Sequence, residues 1–417
     1  MRDTKYIKKI IKNVKNENQI LEYNKQKHIF DIVKEFVEKN KLLVYGGIGL
    51  NNILPKKYSI YNKYSLPDYD CLSYKAREDA IELANILFHN GIEFCEVRNA
   101  LHEGTFKVFA NFISVADITQ VNKTFFISMT KISKSEKNIY INPKLTVVPI
   151  HLLKYFILKE FARPEGSLYR WRKLIERYNK LEAININNNN NNNNLNNNNN
   201  LIVNTQGSYT DNEDINKIIL DMQNILKLHK YPIIGSFALT QLTGKFCKLD
   251  KFFSVFEILS SNPKETIDTI IKSLDYDKDK FKIIISKRFY HNELLPKRLR
   301  VFIKIKGQTE LFKFMTVIDT ETNCYSIIEK NKFTIGSPYT ILQFLYAYWI
   351  MYKIYEKPKI SNMVQLMINT LEKYIKTSSK LSERFSLKCF GHEKTLFSMK
   401  REKWNESNKR YIYRPIE

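Results

Sequence analysis

The chain has 417 residues, of which 43% are hydrophobic and 26% are charged. This composition excludes a wholly disordered chain and predicts two or three domains, each with its own core. The formal net charge of +24 favours a polyanionic partner, and nucleic acid is the first candidate. An AT-rich coding bias toward lysine and asparagine is an alternative source of that charge.

Cysteines and apolar segments indicate the compartment. The five cysteines are scattered without a CxxC pair, so neither a disulfide framework nor a zinc site is expected, and a reducing intracellular compartment is favoured. The charged N-terminal segment has no apolar core, and we therefore expect no signal peptide and no secretion. The most apolar stretch, 341–352, is too short to span a bilayer and predicts a buried core helix.

Hydrophobic periodicity predicts alternating helices and strands through residue 118. A helix over 28–39 precedes a buried strand at 42–45, which Gly46 and Gly47 end. The order of elements predicts an α+β domain, a mixed sheet with helices on one face. The later elements are a strand at 68–74, a helix at 77–89, and extended segments at 93–97, 105–109 and 112–118.

An asparagine tract at 184–200 separates two patterned halves. Asparagine runs bury too little apolar surface to offset chain entropy, so the tract predicts a disordered insert. The predicted segments are an N-terminal helical segment at 1–40, a first domain at 41–183, the insert at 184–213, and a second domain with C-terminal helices at 214–417.

Three acids form the strongest chemical signal. Asp68 and Asp70 lie two residues apart on a predicted strand, so both carboxylates point to one face. Asp117 ends a later strand that can lie beside the first. Because neighbouring carboxylates repel unless a cation lies between them, the cluster predicts a Mg²⁺ or Mn²⁺ site. The alternative is a set of solvated acids at strand ends.

A glycine pair precedes these acids. Gly46 and Gly47 allow the backbone to approach a phosphate closely, and the following helix directs its N–H groups and positive dipole end toward that phosphate. Taken alone, such a pair is usually an ordinary turn. The order of strand, Gly-Gly, helix and acidic strands is far more specific than any one of these motifs.

These motifs resemble the nucleotidyltransferase superfamily that includes DNA polymerase beta and the poly(A) polymerases. The family pattern is a hydrophobic residue with Gly-Gly or Gly-Ser, a spacer, and two acids that flank a hydrophobic residue. Here it reads Tyr45-Gly46-Gly47 and Asp68-Tyr69-Asp70. Segments 100–119 and 158–178 further resemble the catalytic subunit of poly(A) polymerases from poxviruses and giant DNA viruses.

The resemblance implies a polymerase-beta-like fold and template-independent addition of AMP from ATP to RNA 3′ ends, which matures viral mRNA. It implies two Mg²⁺ or Mn²⁺ ions: one held by Asp68, Asp70 and Asp117 at the RNA 3′-hydroxyl, the other held by Asp68 and Asp70 at the triphosphate. The expected partners are RNA, ATP, and a second copy or a viral processivity subunit. The expected locations are the virion and the host-cell cytoplasm, without membrane attachment.

Basic residues are expected to hold the triphosphate. The helix over 169–180 is strongly basic, and Tyr169 and Trp171 within it are candidates for stacking on a base. A solvated basic face around a buried tryptophan is the alternative. Basic clusters at 287–300 and 400–410 are candidate RNA contacts, or ordinary solvated faces. The predicted nucleotide contacts are Gly46, Gly47, Lys154, Arg170 and Lys173.

The second half repeats the first in a decayed form. Val255 stands at the position of Asp68, so we expect a degenerate nucleotidyltransferase-like domain without a metal pair, serving as a platform for RNA or a subunit. Chance similarity of amphipathic segments is the alternative. The predicted matches are 233–236 with 44–47, 256–260 with 69–73, 264–274 with 77–87, and 317–319 with 115–117.

Other functions compatible with the sequence are a terminal uridylyl or CCA-adding transferase and an oligoadenylate synthase. A catalytically inactive RNA-binding scaffold belongs to a different class, and the three acids argue against it. A template-copying polymerase would need additional domains to hold a duplex, and no motif indicates them.

Overall fold

The computed structural model describes residues 2–136, 141–189, 202–203, 209–247, 253–287, 292–321, 323–378, 384–405 and 412–416. The chain divides into two compact units. The first consists of residues 1–153, 179–184 and 399–417, and the second of residues 154–178 and 185–398. No helix within the described residues is both long and apolar enough to cross a membrane.

The helices are α1 (Arg2–Lys39), α2 (Gly46–Ile53), α3 (Ala76–His89), α4 (Lys123–Ser135), α5 (Ile150–Phe161), α6 (Pro164–Ser167), α7 (Trp171–Asn189), α8 (Glu213–His229), α9 (Gly235–Thr243), α10 (Pro263–Ser273), α11 (Pro338–Ile354), α12 (Pro358–Thr377) and α13 (Leu396–Asn405). Short 3₁₀ turns lie at Lys56–Tyr58 and Leu168–Arg170.

The strands are β1 (Leu43–Val44), β2 (Tyr69–Ser73), β3 (Cys95–Asn99), β4 (Thr105–Ala110), β5 (Ile113–Gln120), β6 (Thr146–Val147), β7 (Ile202–Val203), β8 (Ile233–Ile234), β9 (Phe246–Cys247), β10 (Phe256–Ser260), β11 (Phe281–Ile285), β12 (Arg298–Ile305), β13 (Leu311–Asp319), β14 (Tyr325–Lys330), β15 (Phe333–Gly336), β16 (Cys389–Phe390) and β17 (Ile412–Tyr413).

The first unit is built on a mixed sheet with the strand order β17-β3-β4-β5-β2-β1-β6. Strand β2 runs parallel to β5, while β4 runs antiparallel to both β3 and β5. Helices α1 and α3 supply apolar faces to the core, with Val33 and Leu83 fully buried beside Ile118 of the sheet. The predicted α+β class is therefore confirmed.

The second unit has a larger mixed sheet with the order β11-β12-β13-β10-β8-β15-β14-β16. Strand β10 runs parallel to β13, and β12 pairs antiparallel with β13. Helix α11 is buried over most of its length, as the apolar stretch 341–352 predicted. Such a helix needs neighbours on every side, and α12 and α9 pack against it.

Three features differ from the sequence-based expectations. Residues 399–417 group with the first unit, because β17 pairs with β3, and residues 154–178 group with the second. Helix α7 continues to Asn189, past the predicted domain end at 183, since a formed helix gains one hydrogen bond for each residue it adds. The rest of the asparagine tract at 190–200 lies outside the described residues.

A disulfide corrects the expectation from the scattered cysteines. Cys324 and Cys389 are bonded, with Cα atoms 5.5 Å apart and a sequence separation of 65. They meet because β14 and β16 are antiparallel neighbours, a long-range pairing that cysteine spacing does not reveal. Cys71 and Cys95 are free and buried.

Candidate active site

The three predicted acids come together in the first unit. One carboxylate oxygen from each of Asp68, Asp70 and Asp117 lies within 4.8 Å of the other two. Asp68 is exposed, and the other two are partly buried, so the cluster remains open to solvent. This confirms the expectation that the two acidic strands lie side by side.

The sheet register produces this arrangement. Strands β2 and β5 are parallel neighbours, and Asp70 pairs directly with Asp117. Asp68 comes just before β2, two residues from Asp70, and two-residue spacing in an extended chain returns to the same face. The pairing of β2 with β5 thus brings Asp117 beside Asp70, and the two-residue alternation along the chain places Asp68 on the same face.

Gly46 fits against this cluster. It has a φ of +60°, a conformation that residues with a Cβ adopt only with strain. A Cβ built on Gly46 would lie 1.9 Å from Oδ2 of Asp70, so the close approach also requires glycine. The backbone N–H of Tyr45 donates to the carbonyl oxygen of Asp70 at 2.8 Å, which fixes the start of α2 beside the acids.

Lys107 is the charged neighbour of the cluster. It pairs with Asp117 across the β4–β5 hairpin, and its Nζ lies 2.6 Å from Oδ1 of Asp117 and in contact with Oδ2. Ser114 also donates to Oδ1 of Asp117, at 3.4 Å. The ammonium group therefore partly neutralises one acid at the edge of the site.

A hydroxyl chain lies next to the acids. The Tyr45 hydroxyl lies 3.2 Å from Oγ1 of Thr119, which is 3.0 Å from Oγ1 of Thr105. Burial, and next the charge of Asp70, raise the pKa of Tyr45, so its hydroxyl stays protonated at neutral pH. These contacts fix the position of the Tyr45 side chain beside the glycine pair.

The donor set fits a hard divalent cation. All three donors are carboxylate oxygens, they face one another within reach of one ion, and they are accessible to solvent. Mg²⁺ and Mn²⁺ prefer such oxygen ligands. An anionic phosphate substrate would also require a cation bound to these acids, since bare carboxylates would repel it.

The predicted nucleotide contacts separate into two groups. Gly46 and Gly47 open α2 beside the carboxylates, as expected. Lys154 belongs to the second unit, where it is 2% exposed and its Nζ lies 3.0 Å from Oε1 of Glu372. That pairing gives Lys154 a structural partner within its own unit, and its nucleotide contact stays a prediction.

Arg170 and Lys173 also belong to the second unit. Arg170 forms an ion pair with Glu160 at 3.3 Å, and Lys173 is exposed. Trp171 donates from Nε1 to the carbonyl oxygen of Glu160 and packs against Phe161, which places its ring in a local aromatic cluster. These contacts fit a basic face around a packed tryptophan, and nucleotide contact by Arg170 and Lys173 stays a prediction.

The residues of the basic cluster predicted at 287–300 differ in their exposure to solvent. Arg298 is 4% exposed, so it is not a surface contact for RNA. Residues 288–290 lie outside the described residues. In the cluster at 400–410, Lys400 and Arg401 are exposed on α13.

The predicted internal repeat is present in the second unit. Its strand order β11-β12-β13-β10-β8 repeats β3-β4-β5-β2-β1, with the same parallel pairing at its centre. Gly235 has a φ of +72° at the start of α9, and its added Cβ would lie 2.8 Å from Glu257. Both hairpins carry a bulge at the same point, after Val108 and after Val301.

The register corrects one of the predicted matches. Asp70 pairs with Asp117, and Glu257 pairs with Thr316, so Thr316 and not Asp319 is the counterpart of Asp117. The connection between β12 and β13 is longer than the two-residue turn of the first unit, which shifts the correspondence by three residues. The second unit thus lacks counterparts of two of the three acids.

Comparisons with known proteins agree with this fold. The crystal structure of the Megavirus polyadenylate synthase matches 99% of this chain and 85% of its own, with a TM-score of 0.74 at 17% identity. At that identity the likeness establishes a shared fold alone.

The particular relatives are viral. Residues 31–155, which include all three acids, match the family model described as poly(A) polymerase catalytic subunit, and the resemblance inferred from the sequence is confirmed over this segment. A putative poly(A) polymerase catalytic subunit of African swine fever virus (isolate Tick/Malawi/Lil 20-1/1983) is 33% identical over 153 residues, or 36% of this chain and 32% of the relative. That of Acanthamoeba polyphaga mimivirus is 31% identical over 157 residues, or 37% and 26%. The match thus spans about a third or less of these relatives.

Proposed function

We propose that the chain is a template-independent RNA nucleotidyltransferase that adds AMP from ATP to RNA 3′ ends. The observation that carries this proposal is the cluster of Asp68, Asp70 and Asp117 beside Gly46, which lies inside the segment that matches the poly(A) polymerase family model. The names of the viral relatives support adenylate as the transferred group.

The transfer joins the RNA 3′ oxygen to the α-phosphorus of ATP and breaks the bond to the pyrophosphate leaving group. Two divalent ions held by Asp68, Asp70 and Asp117 would lower the pKa of the 3′-hydroxyl and stabilise the leaving group's charge. The chain's own contribution is positional: the first N–H groups of α2, which have no partner within the helix, face a phosphate that approaches Gly46 and Gly47.

Lys107 adds a cation that stays with the protein. Its Nζ contacts Asp117, and the same ammonium group is close enough to the carboxylates to balance the negative charge of a bound triphosphate. We further propose that a tail grown on any transcript requires RNA binding by backbone charge and base stacking, for which the net charge of +24 is suited.

The function is tested with purified protein, an RNA primer and each of the four NTPs in separate reactions with Mg²⁺. We expect the primer to be extended in the reaction with ATP and not in the other three. Extension with UTP, or with CTP and ATP to a fixed short length, would instead identify a uridylyl or CCA-adding enzyme. RNA binding without extension by any NTP would identify an inactive scaffold and contradict the proposal.

A further inference from the structure

The register assigns a counterpart in the second unit to each residue of the carboxylate site. Val255 replaces Asp68, and Glu257 replaces Asp70. Thr316 replaces Asp117, and its Oγ1 lies 2.6 Å from the hydroxyl of Ser254. Two carboxylates are thus replaced by uncharged side chains, and the remaining acid is 5% exposed and bonded to the hydroxyl of Tyr348 at 3.0 Å.

Basic residues occupy the second-unit positions that correspond to the neighbours of the three acids. The counterpart of Lys107 is Arg300, because each lies just before the bulge and opposite the third acid position. The counterpart of Ser114 is Lys313, because each lies just beyond the bulged residue. Arg298 lies two residues before Arg300 on the same strand. A site that holds a cation in one unit has therefore become a basic site in the other.

The bulge beside Lys313 matches the bulge beside Ser114. In the first unit the bulge turns Ser114 toward the acid three residues later, and its hydroxyl contacts Asp117 at 3.4 Å. The same irregularity occurs in β13, and Lys313 lies close enough to Arg300 and Glu257 for their charges to act on it. Burial, and next the charge of Arg300, lower the pKa of Lys313 to about 8, while Glu257 opposes that shift. An anion beside Lys313 would be attracted by this lysine and by Arg300 and Arg298 near it, and opposed by Glu257.

A cavity of about 490 Å³ opens at this position. Lys313 and Val255 both line it, so the cavity reaches the positions that correspond to Ser114 and Asp68 of the first unit. Asp211 and Glu310 also line it, and Lys313 is the cation among the described residues that line it. Its volume lies within the range of sites for small molecules. Three aromatic rings are also among the lining residues, those of Tyr209, Phe253 and Phe312, and aromatic rings are the usual stacking partners of nucleobases.

We propose that this cavity is a second nucleotide-binding site, which takes one nucleoside monophosphate unit with its phosphate paired to Lys313 and its base against Tyr209, Phe253 and Phe312. The lysine supplies the positive charge that divalent ions supply in the first unit, so binding here needs no metal. The free nucleotide and a nucleotide within RNA share this chemistry. The proposal stands independently of the catalytic function.

The test is calorimetric titration of the full chain with AMP in the presence of EDTA, which removes divalent ions from the carboxylate site. Wild-type protein is expected to bind AMP, and Lys313→Met to bind it roughly 10–100-fold more weakly, because a charge-assisted contact is lost. Lys282→Met is the matched control, since Lys282 is an exposed lysine of the same sheet and does not line the cavity. Equal affinity of wild type and Lys313→Met, or the absence of AMP binding, would overturn the proposal.

A second measurement avoids any folding defect of the variant. Wild-type protein is acetylated on lysine with and without AMP, and protection of Lys313 relative to Lys282 is expected; equal labelling of Lys313 in both samples contradicts the proposal. Adenosine, which lacks the phosphate, should protect weakly. Tighter binding of a 5′-phosphorylated oligoadenylate than of AMP would identify RNA as the source of the nucleotide, and tighter binding of AMP would identify the free nucleotide.

Discussion

Asp70 and Glu257 occupy the same register position in the two units, and each lies against a glycine with positive φ. In the first unit the neighbouring positions hold further acids, and the cluster is open to solvent. In the second unit the neighbours are Val255 and Thr316, and the remaining acid is buried. The backbone frame of strand pairing, glycine and bulge has thus been retained while the charge of the site changed sign. Side chains at four or five positions decide which ligand the common frame can hold.

The largest expected difference between the units lies in catalysis. Asp70→Asn removes one oxygen ligand from the carboxylate cluster and should lower AMP addition by about 1,000-fold or more, because several kcal/mol of transition-state stabilisation are lost. The double variant Glu257→Gln with Thr316→Val should leave the rate within a few-fold of wild type. Single-turnover primer extension measures both. Asp31→Asn, on the exposed surface of α1, controls for the loss of an acid as such.

If the double variant in the second unit is as inactive as Asp70→Asn while its melting temperature is unchanged, the two sites are functionally coupled and the comparison fails. Wild-type activity in Asp70→Asn would remove the assignment of the first site.

The glycines should separate activity from stability. Gly46→Ala places a Cβ against Oδ2 of Asp70 and forces a residue with positive φ, so it should disturb the cluster and reduce AMP addition by about 100-fold. Gly235→Ala meets Glu257 in the same way and should lower the free energy of unfolding by roughly 1–2 kcal/mol, with little effect on rate. Urea unfolding and primer extension on both variants provide the measurements. Equal activity losses would contradict the distinction.

Lys154 and Lys173 of the second unit should also separate an effect on stability from an effect on ATP binding. Lys154→Met removes the ammonium partner of Glu372, which keeps its hydrogen bond from the Tyr346 hydroxyl, and should cost roughly 1–3 kcal/mol of unfolding free energy, with an unchanged KM for ATP in the molecules that remain folded. Lys173→Met should raise the KM for ATP several-fold without destabilising the protein, since Lys173 is exposed. A raised KM for Lys154→Met at unchanged stability would restore it as a nucleotide contact.

The smallest effect concerns metal affinity. Lys107→Met removes the ammonium group that competes with a cation for Asp117 and should tighten Mn²⁺ binding about two- to fivefold. Arg300→Met, at the matching position of the second unit, should leave Mn²⁺ binding unchanged. Electron paramagnetic resonance titration of Mn²⁺ measures both without a turnover assay. Weaker Mn²⁺ binding in Lys107→Met would indicate that the lysine orients Asp117 for the ion.

The acids and the glycine pair were predictable because each rests on local chemistry. Two-residue spacing puts Asp68 and Asp70 on one face in any strand, and a Gly-Gly pair after a strand marks a close backbone approach. The parallel pairing of β2 with β5 was then enough to bring in Asp117. Local patterns therefore yielded the whole cluster and the α+β class.

The contact of Lys107 with Asp117 was not predicted, because a bulge shifts the pairing of β4 with β5 by one residue. The turn at Asn111 and Phe112, both with positive φ, closes a two-residue hairpin, from which simple counting places Lys107 opposite Ala116. The bulged Val115 moves the pairing by one residue and brings Lys107 opposite Asp117. Nothing in local propensity marks the extra residue, and the same is true of the disulfide and of β17, which depend on distant strand pairings.

Strand β17 has a consequence for the order in which the protein is made. Ile412 and Tyr413 complete the sheet of the first unit by pairing with β3, and the Tyr413 hydroxyl donates to Oδ1 of Asn85 at 2.7 Å. The ribosome synthesises residues 185–398 before it reaches these residues, so this edge of the first unit's sheet stays unpaired until the whole second unit has been made. Until then β3 is an open strand edge, exposed to mispairing with neighbouring nascent chains.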